Sequence, residues 1–310
     1  FLVNSYLNFW VGWPGITDLL DHLGSEEGTL GGGSLVTAWI QMLLYPVLIT
    51  GCAVYAGKQS RRSLYQDSEA LSGLSAFVVR AAFWSVVLVG LADMIISFMR
   101  VEAMLANWIG ADLITELGRP TYRGTHVHYP LITLSIFIAI FTRSIGFPWL
   151  ALLVVIAEFQ IVLARFIFSY EQASMGDLVR FSYAALCLFP SAYTLIHEGH
   201  VRVDVAYAHF SERGKAWANV IGSLLLGIPI CWIILGRGME GKTSIIVSPI
   251  LNYEISQSGF GMYVKYLMAG FLLVYAISMM AQFAGYFLKS AAVLRGEDIP
   301  RDGTEEAPVH

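Results

Sequence analysis

A run of about twenty apolar residues is the length a helix needs to cross a bilayer, and this chain is built from several such runs. Residues 181–196 and 217–235 are two of them, and between them lies the short charged stretch Glu198-Gly-His-Val-Arg-Val-Asp204. A polar hinge held between two bilayer-length segments belongs at a membrane surface. Of the 310 residues, 56% are hydrophobic and 14% charged, whereas soluble domains carry about a quarter charged residues. Inside lipid the backbone must satisfy its own hydrogen bonds. The expectation is an all-α, polytopic transmembrane helical bundle with about seven spans and short interfacial helices. A net charge of −4 without a dense basic patch excludes nucleic acid as a partner. Cys52, Cys187 and Cys231 all fall inside apolar segments, where a thiol acts as a small hydrophobe.

Taken in order, residues 1–34 mix Trp10 and Trp13 with Asp18, Asp21, Glu26 and Glu27. They read as an interfacial or extramembrane segment, since Trp favours headgroup level. They hold no Lys or Arg, so a cleavable signal peptide is not expected there. Spans are then expected at 35–55, with Pro46 as a kink, at 76–99, with Arg80 and Asp93, and at 129–142. Between the last two, Val101, Met104, Leu105, Trp108 and Ile109 suggest a short interfacial helix, and Arg119-Pro120 and the His126-Val-His128 pair close the loop. Four more spans are expected at 149–168, 178–197, 216–235 and 262–288. A polar loop at 236–261 and a disordered tail at 297–310 complete the chain. No close internal repeat is visible.

Loop charges orient the stack. Placing the 58–74 loop, the Arg143 turn, the 198–215 loop and the C-terminal tail in the cytoplasm puts ten Lys and Arg there against five outside, as the positive-inside rule requires. The C-terminus is therefore expected in the cytoplasm.

His200-Val-Arg-Val-Asp204 is followed by Tyr253-Glu-Ile-Ser256 and preceded by Arg165, Asp177 and Arg180. This order resembles the small membrane subunit of tripartite ATP-independent periplasmic (TRAP) transporters, the DctQ-like family. In that family an Arg-containing helix end, an acidic start of the next helix, a His-Val-Arg-Val-Asp loop and a Glu-x-Ser element come in the same sequence. Gly259-Phe-Gly-Met262 departs from the usual pattern, lacking the Pro of a Gly-x-Pro before the last helix. The resemblance spans about 145–296, a four-helix core, and leaves 35–144 as an N-terminal extension of about three spans. It implies a noncatalytic scaffold subunit of a bacterial inner-membrane uptake system for organic acids. The implied partners are a large TRAP membrane subunit that holds the substrate and sodium sites, membrane lipids and, indirectly, a periplasmic substrate-binding protein. The alternative is an accessory structural subunit of another bacterial membrane complex, such as a photosynthetic or respiratory assembly.

The candidate contact residues divide into two groups. Arg165, Asp177, Arg180, His200, Arg202, Asp204, Glu254 and Ser256 are the family-motif and partner-interface set that the resemblance implies. Arg80, Asp93 and Glu158 are charges placed within spans, each of which needs a partner or a wet cavity. Glu158 and Arg165, seven apart, share a helix face but cannot pair directly in a straight helix. Arg80, Asp93 and Arg180 are the candidate partners for them. His126 with His128, and His197 with His200, supply two ligands each where metal sites use three or four. No metal, cofactor or catalytic site is expected, and no phosphate loop or nucleophile elbow stands out.

Overall fold

Hydrophobic length does set the architecture. A computed structural model describes residues 2–25, 30–58, 62–142, 147–196, 207, 209–256 and 260–297. Among the described residues there is no strand. Among them seven helices are long and apolar enough to cross a membrane: Gly32–Lys58, Leu64–Val101, Pro120–Phe141, Ala151–Phe168, Ala173–Leu195, Glu212–Gly238 and Lys265–Arg295. They are called the first to seventh spans below. The chain is thus an all-α, multi-pass membrane protein.

The contacts divide the chain into two units, Phe1–Ser63 and Leu64–His310. In the first, helices Leu2–Phe9 and Ile16–Gly24 precede the first span. The Asp18 carboxylate accepts from the Gly15 N–H at 2.7 Å and fastens the start of the second helix. Gln41 Nε2 donates to the Asn4 carbonyl at 3.1 Å and ties the span to the first helix. The span runs unbroken through Pro46. Trp39, Leu43, Val47 and Ile49 remain exposed on it, as suits a helix bathed in lipid.

In the second unit the second span is the axis. The seventh, third and fifth spans all pack on it. Small residues let the second and seventh spans cross closely: a Cβ on Gly285 would lie 3.2 Å from the Ser68 carbonyl, and Ser75 Oγ donates to the Ser278 carbonyl at 2.9 Å. Such small-residue crossings are the usual way for helices to associate in lipid. Phe83, Val86 and Val89 form the core with Leu178, Phe181 and Ala185 of the fifth span and Phe271 of the seventh. The Phe271 ring stands 5.1 Å from that of Phe181 and 4.9 Å from that of Phe189. The sixth span joins through Cys231 and Met279. The fourth is the least enclosed and packs on the fifth along Leu153, Ala157, Ile161 and Ala164.

Helix boundaries differ from the sequence expectation at several points, four of which bear on the packing. The second span begins at Leu64 rather than 76, and its 38 residues make it about 57 Å long, well beyond the hydrocarbon thickness. Its first N–H groups, on Leu64 and Tyr65, point at the Glu297 carboxylate, each at 3.4 Å. The third span starts at Pro120, not 129, because Pro at the first helical position costs no hydrogen bond and Arg123 and His128 find buried partners. The 101–109 segment is a single 3-10 turn, Met104–Asn107, followed by helix Ala111–Leu117. The 236–261 loop contains a short helix, Val247–Leu251, because Ile246 and Val247 are buried.

Candidate functional site: a polar clamp at one end of the bundle

The ends of the second, third, fifth and seventh spans meet in a layer of buried polar groups. Asp93, Arg123 and His128 are fully buried there. Arg123 Nη1 donates to Asp93 Oδ1 at 2.9 Å and to Ser97 Oγ at 2.9 Å, while its Nε donates to the Leu117 carbonyl at 3.0 Å. The guanidinium carbon lies 4.0 Å from the centre of the Tyr263 ring, a cation–π contact in a desolvated setting. His128 Nε2 lies 3.0 Å from the same Asp93 oxygen, and its Nδ1 lies 2.9 Å from the Tyr266 hydroxyl. The second Asp93 oxygen accepts from the Tyr263 N–H at 2.6 Å. One carboxylate thus holds two helices and the chain leading into a third.

A π-helical turn makes this arrangement possible. Residues Gly124–His128 form it inside the third span. Arg123 and His128 are five apart and would diverge on a regular α-helix; the wider turn brings both to Asp93. Gly124 is required at the same spot. A Cβ there would stand 2.3 Å from Tyr253 Cε1 and 3.1 Å from the Tyr266 hydroxyl. Tyr253 itself has φ 48°, a left-handed conformation that a bulky residue adopts only when packing holds it.

Asp177 forms the second half of the clamp. Its Oδ2 accepts from the Met262 N–H at 3.0 Å and from Ser256 Oγ at 3.4 Å, and Arg180 Nη1 lies 3.3 Å from Oδ1. Met262 and Tyr263 are neighbours, so two aspartates from two spans hold consecutive N–H groups at the start of the seventh. That location lets acidic groups meet the positive end of a helix. Glu254 reaches across to Lys265 at 2.6 Å, and its carbonyl accepts from the Tyr266 N–H at 3.0 Å. Asp177, Arg180, Ser256, Met262 and Lys265 line a surface cavity of about 400 Å³.

Four of the motif residues read from sequence, Asp177, Arg180, Glu254 and Ser256, therefore sit together. His200, Arg202 and Asp204 lie outside the described residues. Arg165 is exposed and stands 3.9 Å from the exposed Glu171. Glu158 is exposed and has no hydrogen-bond or ion-pair partner among the described residues. Arg80 is half-buried, with its Nε enclosed and unpartnered among the described residues. The partners suggested for Glu158 and Arg165 are engaged elsewhere in two cases, Asp93 with Arg123 and Arg180 with Asp177. Arg123 is not singled out by the sequence, and His128 is weighed there only beside His126, as a metal ligand at the close of a loop. Their one sequence signal was Arg119-Pro120, a helix start that would have carried the third span back over both.

Removing one partner of a buried ion pair costs about 3–5 kcal/mol, because the other charge is left alone. The Asp93 group is thus a strong fastening, and its hydrogen bonds are internal to the chain. Among the described residues no group of three or more His, Cys, Asp or Glu is placed to hold a metal.

The fold and this polar layer define a multi-pass helical membrane protein in which the second, third, fifth and seventh spans are locked together at one end. Residues 152–292 match the family model of the tripartite ATP-independent periplasmic transporters, DctQ component. The chain carries this small permease domain of a TRAP transporter behind N-terminal helices that could span a membrane. No curated protein and no solved structure matches the chain.

Proposed function

We propose that this chain is a static scaffold subunit of a TRAP-type secondary transporter. It pairs with a large membrane subunit that performs sodium-driven uptake of organic acids, mainly carboxylates, and a periplasmic binding protein delivers the substrate to that pair. The match over residues 152–292 carries the reading. The clamp supports it: Asp177 and Ser256, two elements the resemblance names, meet at the start of the seventh span. Their hydrogen bonds fix helices against one another. A rigid bundle suits a subunit that holds still while its partner moves substrate.

The first three spans enlarge this scaffold. Asp93 and Arg123, which precede the family-matched segment, share the Met262–Tyr263 turn with Asp177. The charge count favours a C-terminus in the cytoplasm, which sets the clamp at the periplasmic end of the bundle. There it would lie close to the surface on which a binding protein docks.

Co-expression tests the reading. The chain is expected to copurify in mild detergent with a large multi-span TRAP subunit, and uptake in vesicles is expected to need both together with the binding protein. Copurification with haem- or pigment-bearing subunits instead would assign it to another assembly.

A further inference from the structure

The fourth span carries a second seam that no described residue of its own unit, Leu64–His310, fills. One stripe, Leu153, Ala157, Ile161 and Ala164, packs on the fifth span. About a third of the way round the helix, Ala151, Val155, Glu158, Val162 and Arg165 recur at alternating steps of four and three. That is the spacing of a helix–helix seam in which each side chain fits between residues of a facing helix. Val155 is 60% exposed and Val162 46%, and Glu158 and Arg165 are exposed with them.

Glu158 makes this seam more than a lipid-facing surface. It lies near the midpoint of helix Phe147–Phe168, about 15 Å from either end at 1.5 Å per residue, which is the centre of the hydrocarbon layer. A carboxylate there needs a partner, and it has none among the described residues. Arg165, two turns along the same stripe, already stands beside Glu171. Only a helix can cross the bilayer beside it with its own backbone satisfied.

We propose that the stripe Val155, Glu158, Val162 and Arg165 is the surface on which a transmembrane helix of the large membrane subunit docks, with an Arg or Lys of that helix opposite Glu158. The two valines supply a narrow apolar seam. The carboxylate sets the register, as a single polar group does in a coiled-coil seam. This rests on the pairing proposed above and adds which face makes it and what the partner must present.

The test is carried out on the full chain co-expressed with the large subunit. A benzophenone amino acid at position 155 or 162 is expected to crosslink in membranes to the large subunit, and one at exposed Tyr183 on the fifth span is not. Glu158→Lys is expected to lower recovery of the complex at least tenfold, Glu158→Gln by less, with the chain still eluting as a single species. Val162→Trp, which lipid tolerates but a close seam does not, is expected to cause a comparable loss. Normal recovery with Glu158→Lys and Val162→Trp would overturn the docking face while leaving the pairing intact. Crosslinks to the chain's own residues 32–58, or to a second copy, would also overturn it. Failure of the unmodified chain to recover any large subunit would remove the pairing itself, and this inference with it.

Discussion

Asp93 and Asp177 stand on different spans, 84 positions apart in sequence, yet they accept from adjacent peptide N–H groups, those of Tyr263 and Met262. One aspartate precedes the family-matched segment and the other lies within it. The start of the seventh span is therefore fixed from two sides, and the second and third spans are part of what holds the DctQ domain together.

Asp93→Asn is expected to be among the most destabilising single changes in the chain. It leaves the Arg123 charge buried without its counter-charge, a loss of about 3–5 kcal/mol. The measurement is thermal unfolding in detergent. The double variant Asp93→Asn with Arg123→Met should be less destabilised than the two single losses summed, because contacting residues do not act additively.

Asp177→Asn should be milder. The amide oxygen can still accept from the Met262 N–H, and Arg180 is exposed rather than enclosed with the carboxylate, so the cost is expected near 1 kcal/mol, in the range of a single hydrogen bond. Asp177→Leu, which leaves the N–H of a buried residue unpaired, should cost about 1–3 kcal/mol. Equal effects of the two leucine- and asparagine-type changes would show that the Met262 bond is unimportant.

Gly124→Ala tests the close approach at the π turn. The added methyl would overlap the Tyr253 ring, and overpacking of this kind costs about 1–3 kcal/mol. Gly73→Ala in the second span meets nothing within 4 Å and should be neutral or slightly stabilising, by up to about 1 kcal/mol. A melting temperature unchanged by Gly124→Ala would mean that the π turn and Tyr253 rearrange freely.

Glu297→Gln removes a carboxylate from the first N–H groups of the second span. The expected loss is about 0.3–1 kcal/mol, smaller in high salt because exposed charge at a helix terminus is screened. A loss that did not change with salt would point to packing instead.

Most of the fold could be read in the sequence because bilayer length is a strong constraint: seven apolar runs became seven helices. Where the reading fell short, polar residues were the cause. Arg123 and His128 broke the apolar pattern and looked like loop, although Asp93 draws both into the interior. A spacing of five hid their common face, since only a π turn aligns it. Glu254 and Ser256 were identified by resemblance, but their meeting with Lys265 and Asp177 depends on how the chain turns before the seventh span. That geometry has no periodic signature. Gly259-Phe-Gly-Met262 lacks a turn-setting Pro, and the two aspartates hold the backbone at Met262 and Tyr263 instead.

The central claim is that this polypeptide supports transport without performing it. Reconstitution into vesicles with an inward sodium gradient decides it. The chain alone should take up no organic acid, and uptake should begin only when the large membrane subunit and the substrate-loaded binding protein are added. Sodium-dependent accumulation of a carboxylate by the chain alone would contradict the account.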